Sequence, residues 1–472
     1  MKRSIVLSMV LLLGSLTVHA EEASNSMLLK KIEALELRLK KHEFTKKEEY
    51  NPYGKLKIGG DYRFSIDNLD YKLANGKSAK NDALLSNRLW LNFDYKPNEH
   101  LDFNTKIAFN KVFGHPAVLA PNGKAPFDSF DWIASSTNTD DGLRVKNAYI
   151  NYRDYSFFGA DIPWRFGVGR RPTSYTKLIS LRDDQGANAP LGHIISAEFD
   201  GGSLGLNLSK VSNISGMSFK LASGRAISYV HPSLSATPNV DWGKNINMFN
   251  INFVPYSSSN LHTELQALKI TNLVDIKGSG YAQDGSFNPN NFNPAFDTLG
   301  DIYLASFMLS YVAPTLNNTT FFASVAMSQT DPDKNRQMFS SSNSKRGTSY
   351  WLGTQWIPTF LKDVKIGAEY NHGSKYWRSF TYGEDTVSGS KMATRGDAYE
   401  LYFTKDLMEG LSFQARYTYM DYDYTGSDGF VGSQTGTPIK VADIQKYLAN
   451  SAVASATVDK SQDIRFYLRY RF

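Results

Sequence analysis

The sequence predicts an all-β membrane protein: an antiparallel transmembrane β-barrel of about sixteen strands, with eighteen as the alternative, preceded by a short α-helix. Three observations predict it. From Lys55 onward, segment after segment alternates apolar and polar residues with period two, as a strand with one wet face and one apolar face requires. Short turns and long polar loops follow one another in alternation. The final segment, Asp463 to Phe472, places Ile464, Phe466, Leu468, Tyr470 and Phe472 on one face and Asp463, Arg465, Tyr467, Arg469 and Arg471 on the other.

Before the strands come two segments of different character. Lys2 and Arg3 precede an apolar stretch, Ile5 to Leu16, and Val18-His19-Ala20 supplies a small-residue cleavage site. This is read as a secretory signal peptide over residues 1–20 rather than a membrane anchor, because the stretch is short and polar residues follow at once. Residues 21–49 lack Gly and Pro and are dense in Lys, Glu and Leu. Leu28, Ile32, Leu35, Leu39 and His42 recur at coiled-coil spacing over about two heptads. Either a coiled coil or a single amphipathic helix fits. Asn51-Pro52-Tyr53-Gly54 ends it, and residues 50–472 are assigned to the barrel.

Strands are expected near 55–66, 85–96, 101–113, 143–153, 162–171, 192–208, 216–225, 245–256, 260–271, 301–313, 318–329, 347–357, 363–373, 396–406, 410–424 and 462–472. Leu89, Leu91, Phe93 and Tyr95, for example, alternate with Arg88, Trp90, Asn92 and Asp94. Short turns fall at 96–100, 256–260, 358–362 and 405–410. Long loops fall near 67–84, 114–142, 172–191, 226–244, 272–300, 330–346, 374–395 and 425–461. Segregated loop lengths mark a barrel with a short-turn end and a long-loop end, and both chain ends on one side require an even strand count. Asp200-Gly201-Gly202 is a hairpin signal that could split the sixth strand and raise the count.

Composition sets bounds. Removing Lys2 and Arg3 lowers the formal charge of +6 to +4, which does not support a nucleic-acid partner. Cysteine is absent, so no disulfide framework or thiol chemistry exists. Mean hydropathy is −0.38, and no apolar run after residue 20 has the length of a membrane helix. The 27 Tyr, 29 Phe and 35 Gly fit a barrel, where lipid-facing and lumen-facing residues cancel in any window.

A barrel of this size leaves an aqueous channel, and alternation names its wall. The candidates are Lys57, Asp61 and Arg63 on the first strand, Arg88 and Asp94 on the second, and Arg165 and Arg171 on the fifth. Arg416 stands on the fifteenth, and Arg465, Arg469 and Arg471 on the last. Closure of the barrel brings Lys57, Arg63, Arg465, Arg469 and Arg471 onto one wall. Guanidinium groups stay charged, so water is expected in front of the row. Bracing by carboxylates such as Asp61, Asp94 and Glu369 and attraction of anions are both open, and compatible. The loop 425–461 contains a helical stretch at Val441, Ile444 and Leu448, which could plug the pore, cap it or lie on the surface.

No enzyme motif stands in the sequence. The eight histidines form no pair at metal-ligand spacing. There is no Gly-x-Ser-x-Gly elbow and no Walker motif. No catalytic residue, metal or cofactor is expected.

The terminal strand resembles the barrel-assembly signal of Gram-negative outer-membrane barrels, with Phe466, Leu468, Tyr470 and Phe472 in its slots. As a whole the chain resembles the Gram-negative outer-membrane porin family, in the form with a short N-terminal coiled-coil segment. That resemblance implies an outer-membrane location, with the N-terminal helix in the periplasm. It implies a passive diffusion channel for small hydrophilic solutes, mildly favouring anions. The partners implied are outer-membrane lipid and lipopolysaccharide, the barrel-assembly machinery and a homotrimer. In general porins the third long loop folds inward, so Arg182, Asp183 and Asp184 in 172–191 would form a constriction facing the arginines; an ordinary outward loop is the alternative. The pairing of a coiled-coil segment with lumenal arginines also resembles phosphate-selective porins. The competing functional reading is a structural or adhesive barrel with a closed lumen and binding loops.

Overall fold

Alternating side chains dictate the architecture. A strand with one apolar face and one polar face is stable only where the two faces meet different solvents. Sixteen strands, most of them of this kind, occupy the computed structural model, which describes residues 55–112, 143–172, 176–187, 189, 191–227, 244–281, 287–381, 387–429, 431 and 436–472. The signal-peptide and helix readings lie outside the described residues.

In order the strands are β1 (Leu56–Leu73), β2 (Ser78–Tyr95), β3 (Leu101–Val112), β4 (Arg144–Asp154), β5 (Trp164–Arg171), β6 (Phe199–Asn207), β7 (Ser218–Ile227) and β8 (Ile246–Ser257). Then come β9 (Leu261–Tyr281), β10 (Phe287–Ala313), β11 (Thr319–Pro332), β12 (Arg346–Trp356), β13 (Val364–Gly373), β14 (Gly396–Met408), β15 (Leu411–Tyr422) and β16 (Val458–Arg471). Each pairs antiparallel with its sequence neighbours, and β1 pairs with β16 to close the sheet. Closure leaves no free edge, which a spanning sheet needs because lipid offers its backbone no hydrogen bonds.

The faces sort as alternation requires. On β16, Ile464, Phe466, Leu468 and Tyr470 point outward and are exposed, while Asp463, Arg465, Tyr467 and Arg469 point inward and are buried. The same apolar outer face continues around the barrel through Phe103, Ile150, Phe166, Leu221, Phe249, Leu265, Phe307, Phe321, Leu352 and Leu401. A continuous apolar belt of this kind is stable against lipid and not against water. At the seam, Gly60 and Phe472 exchange backbone hydrogen bonds of 2.8 and 3.1 Å. The Phe472 ring occupies the place where a Cβ on Gly60 would stand, so a larger residue there would have to displace that ring. Tyr470 and Phe472 stack with centroids 5.5 Å apart.

Four expectations are corrected. The expected loop 67–84 is a tight turn, because β1 runs to Leu73 and β2 starts at Ser78. The expected loop 272–300 is largely strand, since β9 and β10 continue pairing out to Tyr281 and Phe287 with register shifts. The sixth strand begins at Phe199 rather than at residue 192, because residues 192–198 enter the lumen. Asp200-Gly201-Gly202 lies inside β6 and forms no hairpin.

Phe466 lies near the middle of the lipid-facing run of β16. Phe466→Lys is expected to destabilise the folded barrel by about 2–4 kcal/mol, read by urea unfolding in detergent. An unchanged midpoint would mean that this face does not meet lipid.

Candidate functional site

Four consecutive backbone carbonyls decide the shape of the lumen. The segment between β5 and β6 contains a short helix, Lys177–Arg182, that buries Leu178 and Ile179. A helix end leaves its last carbonyls without partners. Here side chains from the barrel wall supply them. Gln355 Nε2 of β12 donates to the Leu181 carbonyl at 2.9 Å, and Gln414 Nε2 of β15 donates to that of Arg182 at 2.9 Å. Arg469 Nη1 and Arg471 Nη1 of β16 donate to those of Asp183 and Asp184 at 2.5 and 2.7 Å. The segment therefore crosses the lumen instead of lying outside.

Its charged residues meet a second set on the wall. Arg182 holds Asp183 through Nε and Nη2 at 3.1 and 3.3 Å and reaches Glu400 of β14 at 3.5 Å. Lys391 sits between Glu400 at 2.5 Å and Glu369 of β13 at 2.6 Å. Trp351 Nε1 donates to Glu369 at 2.8 Å and Thr418 Oγ1 to Glu400 at 3.0 Å. Arg416 lies 3.9 Å from both Asp183 and Glu400. All of these charged side chains are buried. Charges out of water persist only when neutralised and hydrogen-bonded, and this network alternates sign to do so. Asp184 pairs with Lys365 and lies 3.7 Å from Arg471.

At the closing seam, Arg63 stands opposite Arg469 on one side and Arg88 on the other, and Arg416 stands opposite Arg465. Like charges in register repel, and carboxylates offset this. Asp61 accepts from Arg469 Nε at 3.0 and 3.1 Å and from Arg88 at 3.2 Å. Asp67 pairs with Arg465. The expectation of water before the whole row is corrected accordingly. Arg63, Arg88, Arg416, Arg465 and Arg469 are at most 3% exposed, and Arg171 is 8% exposed. Arg171 donates to Asn151 at 2.8 Å and lies over the Tyr149 ring. Lys57, Arg165 and Arg471 keep open surface.

Residues 374–381 and 387–395, between β13 and β14, also turn inward, burying Trp377, Arg378, Phe380, Lys391, Met392 and Arg395. Together with Ile194 and Ile195 they pack on the inward apolar face of Ile246, Met248, Leu268, Ile270, Ile302 and Leu304. This side of the lumen is a packed core. His193 lies within it, held by Ser324 Oγ at 2.8 Å and Ser349 Oγ at 2.9 Å. In the last long loop, the helix Val441–Tyr447 seats Val441 and Ile444 against Ala74, Ala398, Met420 and Tyr422.

Among the described residues the other side stays open. A polar cavity of about 520 Å³ lies between Gln185-Gly186 and the inward faces of β1 to β4. Lys57, Asp61, Asn92, Asp94, Asn104, Lys106, Asn147, Tyr149, Arg469 and Arg471 line it. Sequence reasoning missed Lys106, Asn104 and Asn147, although the parity of β3 against Phe103 and Ile107 places Lys106 inward. It also missed Glu400, whose position between Tyr399 and Leu401 carries the same signal. Lys391 and Trp377, on a loop, had no such signal. Among the described residues no group of three or more His, Asp or Glu is placed to hold a metal ion.

Comparison with known proteins adds a family and a set of similar folds. The model of a family described as "Protein of unknown function (DUF3373)" matches residues 78–472. No curated protein matches. Similar solved structures include OmpT, an outer membrane protein of Vibrio cholerae, at 12% identity and TM-score 0.45, covering 88% of this chain and 97% of that one. The anion-selective porin from Comamonas acidovorans aligns at 9% identity and TM-score 0.47, covering 88% and 99%. Salmonella typhi OmpF, in complex with daunomycin, aligns at 10% identity and TM-score 0.46, covering 90% and 100%.

Asp61→Asn leaves Arg88 and Arg469 without their shared carboxylate, and is expected to cost about 3–5 kcal/mol of stability; an unchanged thermal melt contradicts this. Burial pushes the His193 imidazole from 6.5 down to about 3. Between those values the unfolded chain binds a proton at His193 that the folded chain does not. Stability therefore falls as pH falls through that window. His193→Gln should flatten that part of the melt-versus-pH curve, and an unaltered slope would show that His193 is not held neutral.

Proposed function

We propose, for a chain that belongs to the DUF3373 family of proteins of unknown function, the role of an outer-membrane channel that passes small hydrophilic solutes and favours anions. The observation that carries this reading is the polar cavity beside the inward segment. Its lining holds four side-chain cations, Lys57, Lys106, Arg469 and Arg471, against two side-chain carboxylates, Asp61 and Asp94. Asp61 is already engaged by Arg88 and Arg469. The remaining field is positive, and a narrow passage with low-dielectric walls focuses it on whatever enters. Asn92, Asn104 and Asn147 offer both donors and acceptors, so a solute sheds water there against replacement hydrogen bonds.

No catalytic step is part of this reading. His193, Ser324 and Ser349 are buried, and the His193 ring packs edge-on against Trp351 and Trp377. Export through the signal peptide, a periplasmic helix over 21–49 and assembly as a homotrimer belong to the same proposal.

A second reading has one observation in its favour. The packed core around Ile194, Phe380 and Trp377 fills one side of the lumen, as a structural or adhesive barrel with a closed lumen would require. Planar-bilayer recording separates the two. The channel reading expects unit current steps and an anion-selective reversal potential in a KCl gradient. Lys57→Glu with Lys106→Glu should move that potential toward cations. Protein that inserts but never conducts supports the closed barrel instead.

A further inference from the structure

Two loops separated by nearly half the chain enter the lumen and join there. Ser196 N donates to the Phe380 carbonyl at 2.8 Å, and Phe380 N donates to that of Ile194 at 2.9 Å, forming a parallel bridge between Ile195 and Phe380. Around this bridge, Ile194, Ile195, Trp377 and Phe380 belong to one apolar cluster. The loops are therefore one body and not two independent inserts.

That body is fastened at one wall residue. The first loop brings Arg182 to Glu400 Oε2 at 3.5 Å, and the second brings Lys391 to Glu400 Oε1 at 2.5 Å. Glu400 stands directly opposite Glu369 in the β13–β14 ladder. Two buried carboxylates in register repel one another, and Lys391 between them relieves this. The wall thus needs the loop's cation as much as the loop needs the wall's anion. Replacing Glu400 by a neutral amide would remove the carboxylate that Arg182, Lys391 and Arg416 share, leaving Asp183 and Glu369 against the three cations and removing the charge that ties both loops to β14.

We infer that the two inward loops form a single plug and that Glu400 is its latch, a positioning residue that sets the bore of the passage. The plug carries the Gln185-Gly186 edge of the open cavity, so movement at Glu400 changes the width between that edge and β1–β4. The inference rests on the channel reading only in taking the lumen as the route of current.

The chain contains no cysteine, so a pair engineered as Ile195→Cys and Phe380→Cys, at the two partners of the parallel bridge, serves as a cross-link between the loops. Unit conductance is read for wild type, for Glu400→Gln, and for Glu400→Gln carrying the cysteine pair, reduced and oxidised. Glu400→Gln is expected to give larger and flickering steps with the sign of the reversal potential unchanged. Oxidation of the pair should leave the Glu400→Gln steps large, because the bridge ties the loops to each other and not to the wall; steps that return to wild-type size on oxidation would mean that the loops part from one another rather than from the wall, and would overturn Glu400 as the latch. Conducting wild type with an identical Glu400→Gln overturns the latch and leaves the channel reading standing. Silent wild type with conducting Glu400→Gln keeps the latch and overturns the open channel. If Glu400→Gln does not insert, Lys391→Gln and Arg182→Gln are each expected to enlarge the step, and wild-type steps from both overturn the proposal.

Discussion

The ladder between β1 and β16 removes the last free edge of the sheet, and the arrangement inside the barrel is a consequence of that closure. In lipid an unpaired strand edge cannot persist. Closing the sheet forces Arg63, Arg88, Arg465 and Arg469 onto neighbouring strands, facing inward. Their repulsion has to be answered within the lumen. Asp61 and Asp67 answer it at the seam. The Asp183 and Asp184 carbonyls take further donors from Arg469 and Arg471. Those same contacts fix where the segment after β5 crosses. The seam thus closes the wall and also positions the segment that stands inside it.

A ring of sixteen strands encloses more space than its wall side chains can fill. The space is divided rather than left uniform. On the side of β8 to β10, inward Ile246, Met248, Leu268, Ile270, Ile302 and Leu304 are apolar and recruit two loops as their cover. On the side of β1 to β4 the inward residues include Asn92, Asn104, Lys106 and Asn147, which favour water, beside Trp90, and among the described residues a cavity remains. The wall's own side chains decide which side is covered and which keeps a cavity.

The wall was legible in the sequence because alternation is local. Period two in Leu89 to Asp94 or Ile464 to Phe472 reports face and register within one strand. Loop lengths then set the strand count, and Asp200-Gly201-Gly202, a true turn signal by composition, is overruled by pairing with β5 and β7. The interior was less legible because its contacts are distant in sequence. His193-Ile194-Ile195 reads as the start of a strand, since an apolar run looks alike in lipid and in a packed lumen. Trp377 and Lys391 sit in a polar-looking loop, and their burial comes from Glu369, Glu400 and the segment after β5. Parity was enough to turn the arginines inward, but parity does not say whether water or a carboxylate stands in front of them.

Solvent accessibility inside the lumen tests the division most directly. In this cysteine-free chain, Asn92→Cys lies on the open side and Ser306→Cys on the covered face of β10. Each is treated, in the folded and membrane-inserted barrel, with a small charged thiol reagent, and the rate of modification is measured. Rapid modification at position 92 and protection at position 306 are expected. Equal rates at the two positions would mean that the loops do not fill one side of the lumen, and would contradict the division into plug and passage.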